Sequence, residues 1–116
     1  MRWQSGDYFE ASLGIIDDVT EVRSIAHGLT ITAGNRPRLF RAFIKCLVID
    51  RDYAVGDYVV YDAGITGNGM ACWANDTYIG VSWYSSPNLI NKDGTSVGSI
   101  DIGATPDWEV FVQCWK

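Results

Sequence analysis

One run, residues 39–49, constrains the fold of this chain more than any other stretch. Phe40, Ala42, Ile44, Cys46 and Val48 are all apolar and occupy every second position of it. Side chains alternate across a strand, so these five share one face, and Leu39, Arg41, Phe43, Lys45, Leu47 and Ile49 share the other. The run predicts a long strand whose first face belongs to a core and whose second face is mixed. Its flanks read as punctuation. His27-Gly28-Leu29 and Arg36-Pro37-Arg38 lead into it, and Tyr53-Ala54-Val55-Gly56-Asp57 leads out to a second short apolar run at 58–61. A turn, a long strand, a tight connection and another strand follow from that order.

The rest of the chain repeats the pattern at shorter length. No window of 11–18 residues keeps apolar side chains at helical spacing for three turns. Strands are expected at 7–13, closed by Gly14, and at 19–26 after an Asp17-Asp18 turn. Others are expected at 57–62, 97–102 and 107–115. Segments 70–74 and 77–84 read as a hairpin around Asn75-Asp76. Loops are expected at 27–37, at 64–69 with its Asn68-Gly69 pair, and over the polar stretch 85–96, with a turn at 103–106. About eight short strands with frequent turns imply an all-β, antiparallel, jelly-roll-like β-sandwich. At 116 residues the chain makes a single domain with a core of its own.

Charge narrows the partners. The net charge of −5 opposes nucleic acid and anionic membrane surfaces, which need a basic footprint. No apolar run approaches the ~20 residues of a spanning helix, so no membrane insertion is expected. The segment from Met1 to Asp7 has no apolar signal core, so export by the usual secretory route is not expected. Cys46, Cys72 and Cys114 are odd in number and lack CxxC spacing, which indicates neither a disulfide framework nor a zinc site. Buried thiols are expected, with a Cys46–Cys114 bridge left open if their strands are neighbours.

The catalytic inventory is thin. His27 is the single histidine, and Gly28 beside it marks a turn. A structural role follows, with the ring bonding backbone carbonyls where strand 19–26 leaves the sheet. Asp7 and Glu10, Asp17 and Asp18, and Asp50 and Asp52 are paired carboxylates, but all sit in predicted turns or strands, where acids solubilise or form turns. Asp50 and Asp52 lack the rest of a calcium loop, and no phosphate-binding glycine motif occurs. No catalytic activity, metal or cofactor is expected.

Recognition is what remains. Aromatic residues make up 13% of the chain, and Trp73, Trp83, Tyr84 and Trp115 are the hardest to assign wholly to a core. Trp83 and Tyr84 are adjacent in a predicted strand, so one of them must lie outside the core. Rings beside amides and carboxylates are one way to hold a sugar. Trp73, Asn75, Asp76, Trp83, Tyr84, Asn88 and Asn91 form the candidate glycan set, although packed Trp and turn-forming Asn explain the same residues. Leu39, Arg41, Phe43, Lys45 and Leu47 form a candidate subunit interface, against the alternative of scattered surface apolar residues. His27, Gly28, Pro37, Gly56 and Asp57 are expected to be structural.

His27-Gly28-Leu29, Pro37-Arg38-Leu39, Arg41-Ala42, Cys46 and Tyr53-Ala54-Val55-Gly56-Asp57 occur in that order. Ala74-Asn75-Asp76-Thr77 and Trp108 follow. Together, over residues 19–115, they resemble the C-terminal modules of bacteriophage tail fibre and receptor-binding proteins. The pattern is more loosely similar to the H-type lectin sandwich, a trimeric sugar-binding fold. The resemblance implies a homotrimer at the host-facing end of a fibre, made in the host cytoplasm and carried in the virion. Other virion proteins and host cell-surface polysaccharide would be its partners. Residues 30–35 lengthen the turn after His27-Gly28-Leu29, and no fibre shaft precedes Met1, so a stand-alone protein and a fibre part both stay open. A stand-alone lectin and a virion adaptor that binds only protein are the alternatives.

Overall fold

Burial is most extensive in the last strand, β10 (Trp108–Trp115), and this strand is the centre of the large sheet. Trp108, Val110, Val112 and Cys114 are completely buried. A strand buried this way needs neighbours on both edges, and β10 has them: β2 (Tyr8–Ile15) on one side and β4 (Leu39–Cys46) on the other, both antiparallel. The computed structural model describes residues 2–4, 6–29, 39–60, 70–84, 86–100, 102 and 106–116, the first three by their backbone only. Outside β2 lies β1 (Arg2–Gln4), and outside β4 lies β5 (Tyr58–Val60), which gives a five-stranded sheet in the order β1-β2-β10-β4-β5. A second sheet of three strands runs β3 (Glu21–Ala26), β7 (Tyr78–Trp83), β6 (Met70–Ala74). A small hairpin of β8 (Asn88–Ile90) and β9 (Val97–Ser99) completes the set. All pairings are antiparallel, and no helix occurs among the described residues.

The two larger sheets enclose one core. The large sheet contributes Phe9, Ala11, Ala42, Ile44 and Cys46 together with the buried face of β10, and the smaller sheet contributes Met70, Ile79, Val81 and Trp83. Each large apolar side chain buried here contributes roughly 1.5–3 kcal/mol, an upper range because the unfolded chain already hides part of its surface. Polar atoms in the core are tied down. The Trp108 indole N–H donates to Asp50 Oδ2 at 2.9 Å, and its ring meets Tyr53 edge-on. His27 is fully buried. Its Nδ1 accepts the Leu29 N–H at 3.0 Å, so the ring proton sits on Nε2, which donates to the Asn75 carbonyl at 2.9 Å. Gly28 beside it has φ 69°, a left-handed conformation that glycine adopts without strain. The His27-Gly28 turn is thus structural, joining the end of β3 to the β6–β7 turn.

The expected β-sandwich is present, with differences in detail. β4 stops at Cys46, three residues before the end of the apolar run. There the Cys46 N–H bonds Asp57 O, the Gly56 N–H bonds Cys46 O, and Leu47 pairs with Asp107 instead of continuing the sheet. With the strand ended, alternation loses its meaning: Val48 and Ile49 are exposed, and so is Phe40 near the other end, which corrects the expectation of Phe40 and Val48 as core residues. Asn88–Ile90, expected as loop, forms β8, and Arg2–Gln4 adds β1. Asn75 makes the expected hairpin turn, its Oδ1 accepting from the Thr77 and Tyr78 N–H groups. All three thiols are free. Cys46 pairs with Trp108 and Cys114 with Phe40, so the two cysteines lie at opposite ends of the β4–β10 ladder, about 20 Å apart along it, and do not bridge. Pro37, residues 30–35, the 64–69 loop and 103–105 lie outside the described residues.

Candidate ligand-binding face

The outer face of the large sheet carries the second half of each alternating strand. Register places these residues in rungs across β2, β10 and β4. Tyr8, Trp115 and Leu39 make the first, and Glu10, Gln113 and Arg41 the second. Ser12, Phe111 and Phe43 make the third, continued by Val60 on β5, and the fourth joins Glu109, Lys45 and Tyr58. A register shift in the β2–β10 pairing between Val110 and Phe111 separates the last two rungs on the β2 side. Such bulges re-aim side chains at the surface of a sheet. Rungs two residues apart lie ~7 Å from one another, the scale of a single sugar ring.

Aromatic rungs and polar rungs alternate. Phe43 stacks on Phe111 with centroids 5.0 Å apart and planes within 1°, and Tyr58 meets Phe43 edge-on at 5.7 Å. Between them and Trp115 runs the polar rung. Arg41 Nε donates to Gln113 Oε1 at 2.7 Å, and Gln113 Nε2 donates to Glu10 Oε1 and to the Tyr8 hydroxyl, both at 2.8 Å. The Tyr8 hydroxyl donates in turn to Glu10 Oε1 at 2.7 Å. Burial, reinforced by the Glu10 carboxylate, pushes the Tyr8 phenol up to about 12, so it stays a donor at neutral pH. Each side chain in the row therefore holds the next in one rotamer. The Arg41 guanidinium also lies over the Trp115 ring, and the Lys45 ammonium over the Tyr58 ring, at 5.5 and 5.9 Å.

Glu10, Arg41, Phe43, Tyr58, Val60 and Gln113 line a groove of about 340 Å³ on this face. Its chemistry is mixed: flat rings on one part, a carboxylate, an amide and a guanidinium on another. That combination suits a hydroxylated ring compound, which offers apolar C–H edges and polar groups together.

The expected glycan set does not assemble. Trp83 is 3% exposed and its indole N–H donates to the Asp18 carbonyl at 2.8 Å, so it is a core residue and cannot stack on a ligand. Its neighbour Tyr84 is 72% exposed, which resolves the pair as the strand alternation required. Trp73 lies on the outer face of the smaller sheet, against Gly80, with its N–H on Ser82 Oγ. Asn75 is occupied by its turn, Asn91 Oδ1 accepts from Arg51, and Asn88 Oδ1 accepts from Ser99 Oγ. Asp76 is exposed beyond one end of the six-residue β7 and Tyr84 beyond the other, about 25 Å apart along the chain direction.

The interface set behaves differently. Leu39, Arg41, Phe43 and Lys45 do share one face, and that face is the groove-bearing one. Leu47 lies beyond the end of β4, half-buried. Asp57 accepts the Ala54 N–H and the Lys92 ammonium, and Gly56 has φ 92°, so both shape the connection between β4 and β5. Asp50 is committed to Trp108, and no cluster of three metal-ligating side chains occurs among the described residues. Sequence reasoning missed Tyr8, Glu10, Tyr58, Val60 and Gln113. Their alternation within predicted strands was visible, but not that β10 would bring β2 and β4 to either side of it. No protein-family model, no curated protein and no solved structure matches this chain.

Proposed function

We propose that this chain is a non-catalytic recognition module of a virion, a homotrimeric tail-fibre tip that holds host cell-surface polysaccharide in the groove on its outer face. The carrying observation is the convergence of Phe43 and Tyr58 with the Glu10–Gln113–Arg41 row in one groove. An aromatic ring covers the C–H face of a sugar, while the carboxylate and amide take its hydroxyls. The virion setting, with other virion proteins as partners and synthesis in the host cytoplasm, rests on the ordered motifs shared with tail-fibre modules. A binding role is favoured over a catalytic one because the acids and the histidine that chemistry would recruit are otherwise engaged: Asp17 with Arg23, Asp50 with Trp108, His27 with two backbone groups.

The test is titration of the purified chain with surface polysaccharide from candidate hosts, read by melting temperature and by Trp fluorescence. A saturable rise in melting temperature is expected, and Phe43→Ala is expected to weaken binding about tenfold or more. No shift with any polysaccharide would sink the proposal.

A second reading has its own support. Tyr58 and Val60 are 62% and 57% exposed and sit together on β5 beside β4, with Leu39, 54% exposed, at the far end of the same face. Apolar surface of this kind also suits contact with another subunit. Val60→Asp separates the two. A trimer that dissociates on this change assigns the face to assembly, and a trimer that survives it leaves the face to ligand.

A further inference from the structure

We infer that the groove selects an acidic saccharide, a sugar bearing a carboxylate, with that group held by Arg41 on β4 and its hydroxyls by Glu10 and Gln113. This inference rests on the proposed sugar-binding role of the face and adds the charge of its ligand.

The chain is acidic overall, and three of its described basic side chains are committed within the fold. Arg23 pairs with Asp17 and Glu21, Lys92 pairs with Asp57, and Arg51 donates to Ser99 O and Asn91. Among the described residues, Arg41 and Lys45 take part in no ion pair. Both instead stand over aromatic rings on the same face of β4, four residues apart and flanking Phe43. Ring contact positions a cation without neutralising it. Arg41 uses only Nε within the polar row, which leaves its two terminal nitrogens outside that network. A guanidinium presents such a pair as a fork matched to a carboxylate.

The carboxylate that lines the groove lies across it from Arg41. Glu10 is on β2, where Tyr8 and Gln113 hold its Oε1, and its Oε2 stands outside that network. Glu109 faces Lys45 across the β10–β4 pairing, and its Oε2 takes the Ser12 hydroxyl. The groove is therefore polarised, with Arg41 on β4 at one side and Glu10 on β2 at the other. A simple anion such as phosphate gains at one side and is repelled at the other. A carboxylated sugar satisfies both, since its hydroxyls donate to Glu10 while its carboxylate accepts from Arg41.

The decisive experiment compares binding of polygalacturonate and of polysialic acid with binding of the same polymers after methyl esterification, which removes charge and keeps the hydroxyls. At least one acidic polymer is expected to bind about tenfold or more tightly than its ester, less tightly as salt is raised, and Arg41→Gln is expected to bring it down to the ester's affinity. Lys45→Gln is expected to have a smaller effect in the same direction. Equal binding of acid and ester, or acid binding untouched by Arg41→Gln, overturns the acidic ligand while the sugar site stands. Loss of neutral and acidic binding alike in wild type overturns both. Dextran sulfate bound as tightly as the acidic sugars, in wild type and in Arg41→Gln, would show a diffuse attraction for polyanions and also overturn the inference.

Discussion

His27 shows how one residue can be specified completely by its neighbours. Both ring nitrogens are engaged, one accepting from Leu29 and one donating to Asn75, inside a fully buried site. Truncation leaves two backbone groups without partners and opens a cavity, so His27→Ala is expected to cost about 2–4 kcal/mol in chemical denaturation. Gly80 is constrained by space. A Cβ there would stand 2.6 Å from the Arg23 carbonyl oxygen and 2.6 Å from the Trp73 ring. The carbonyl belongs to the paired β3 backbone and cannot swing away, so Gly80→Ala is expected to cost about 1–3 kcal/mol, with Trp73 fluorescence altered as the indole is displaced. The two residues differed in legibility. A lone histidine before glycine at a strand end already read as structural. Gly80 gave no signal, because what makes it necessary is an indole from another strand.

Among the elements, the β8–β9 hairpin depends most on a single side chain from elsewhere. Two strands of three residues are marginal by themselves. Arg51 crosses the hairpin, donating through Nη2 to Ser99 O at 2.9 Å and through Nη1 to Asn91 Oδ1 at 3.3 Å, with its guanidinium packed on Gly98. Arg51 and Asp52 both hold positive φ, 50° and 67°, in the turn closed by the Tyr53 N–H to Asp50 carbonyl bond. The contacts to the hairpin offset the strain of that turn. Arg51→Ala is expected to speed amide exchange across residues 88–99 while β10 stays protected, because the clamp is lost and the core is untouched. Uniform exchange rates in wild type and variant would refute the clamp. β9 lies inside the strand expected at 97–102, but β8 was hidden from the sequence by its own composition. Residues 85–96 are rich in Asn, Ser, Asp and Gly, which read as loop, and only Leu89 and Ile90 within them betray the pairing. β4 was legible for the opposite reason, since its period-two pattern runs unbroken until the connection at Cys46 takes over its backbone bonds.

At the scale of the whole molecule, strand character was local and readable, but strand adjacency was not. β10 ends the chain and β2 lies near its start, and their pairing depends on contacts about a hundred residues apart in sequence, which no local pattern encodes. The sandwich that results hides weak acids in their neutral form on several elements at once, and this gives the molecule a directional response to pH. Burial raises the Cys46, Cys114 and Tyr53 groups, pushes Cys72 up from 9.0 to about 11, and, with Glu10, pushes Tyr8 up from 10.0 to about 12. In the unfolded chain each group loses its proton near its ordinary value. Between the ordinary and the raised values the unfolded state therefore binds fewer protons than the folded state, and stability falls as pH rises. The contribution is fully present below about pH 9, begins to fall where unfolded thiols ionise, and is lost for Cys72 by about pH 11 and for Tyr8 by about pH 12. Thermal unfolding followed by circular dichroism is expected to show a melting temperature that holds from neutral pH to about 9 and then declines. Cys72→Ala should flatten the decline between about 9 and 11, and Tyr8→Phe between about 10 and 12, each without moving the other's segment, because the two residues lie on different sheets and share no contact that would couple them. A melting temperature that stays level through pH 11 in the wild type would show that these groups ionise alike in the folded and unfolded chain, and that the interior around them is wetter than their burial implies.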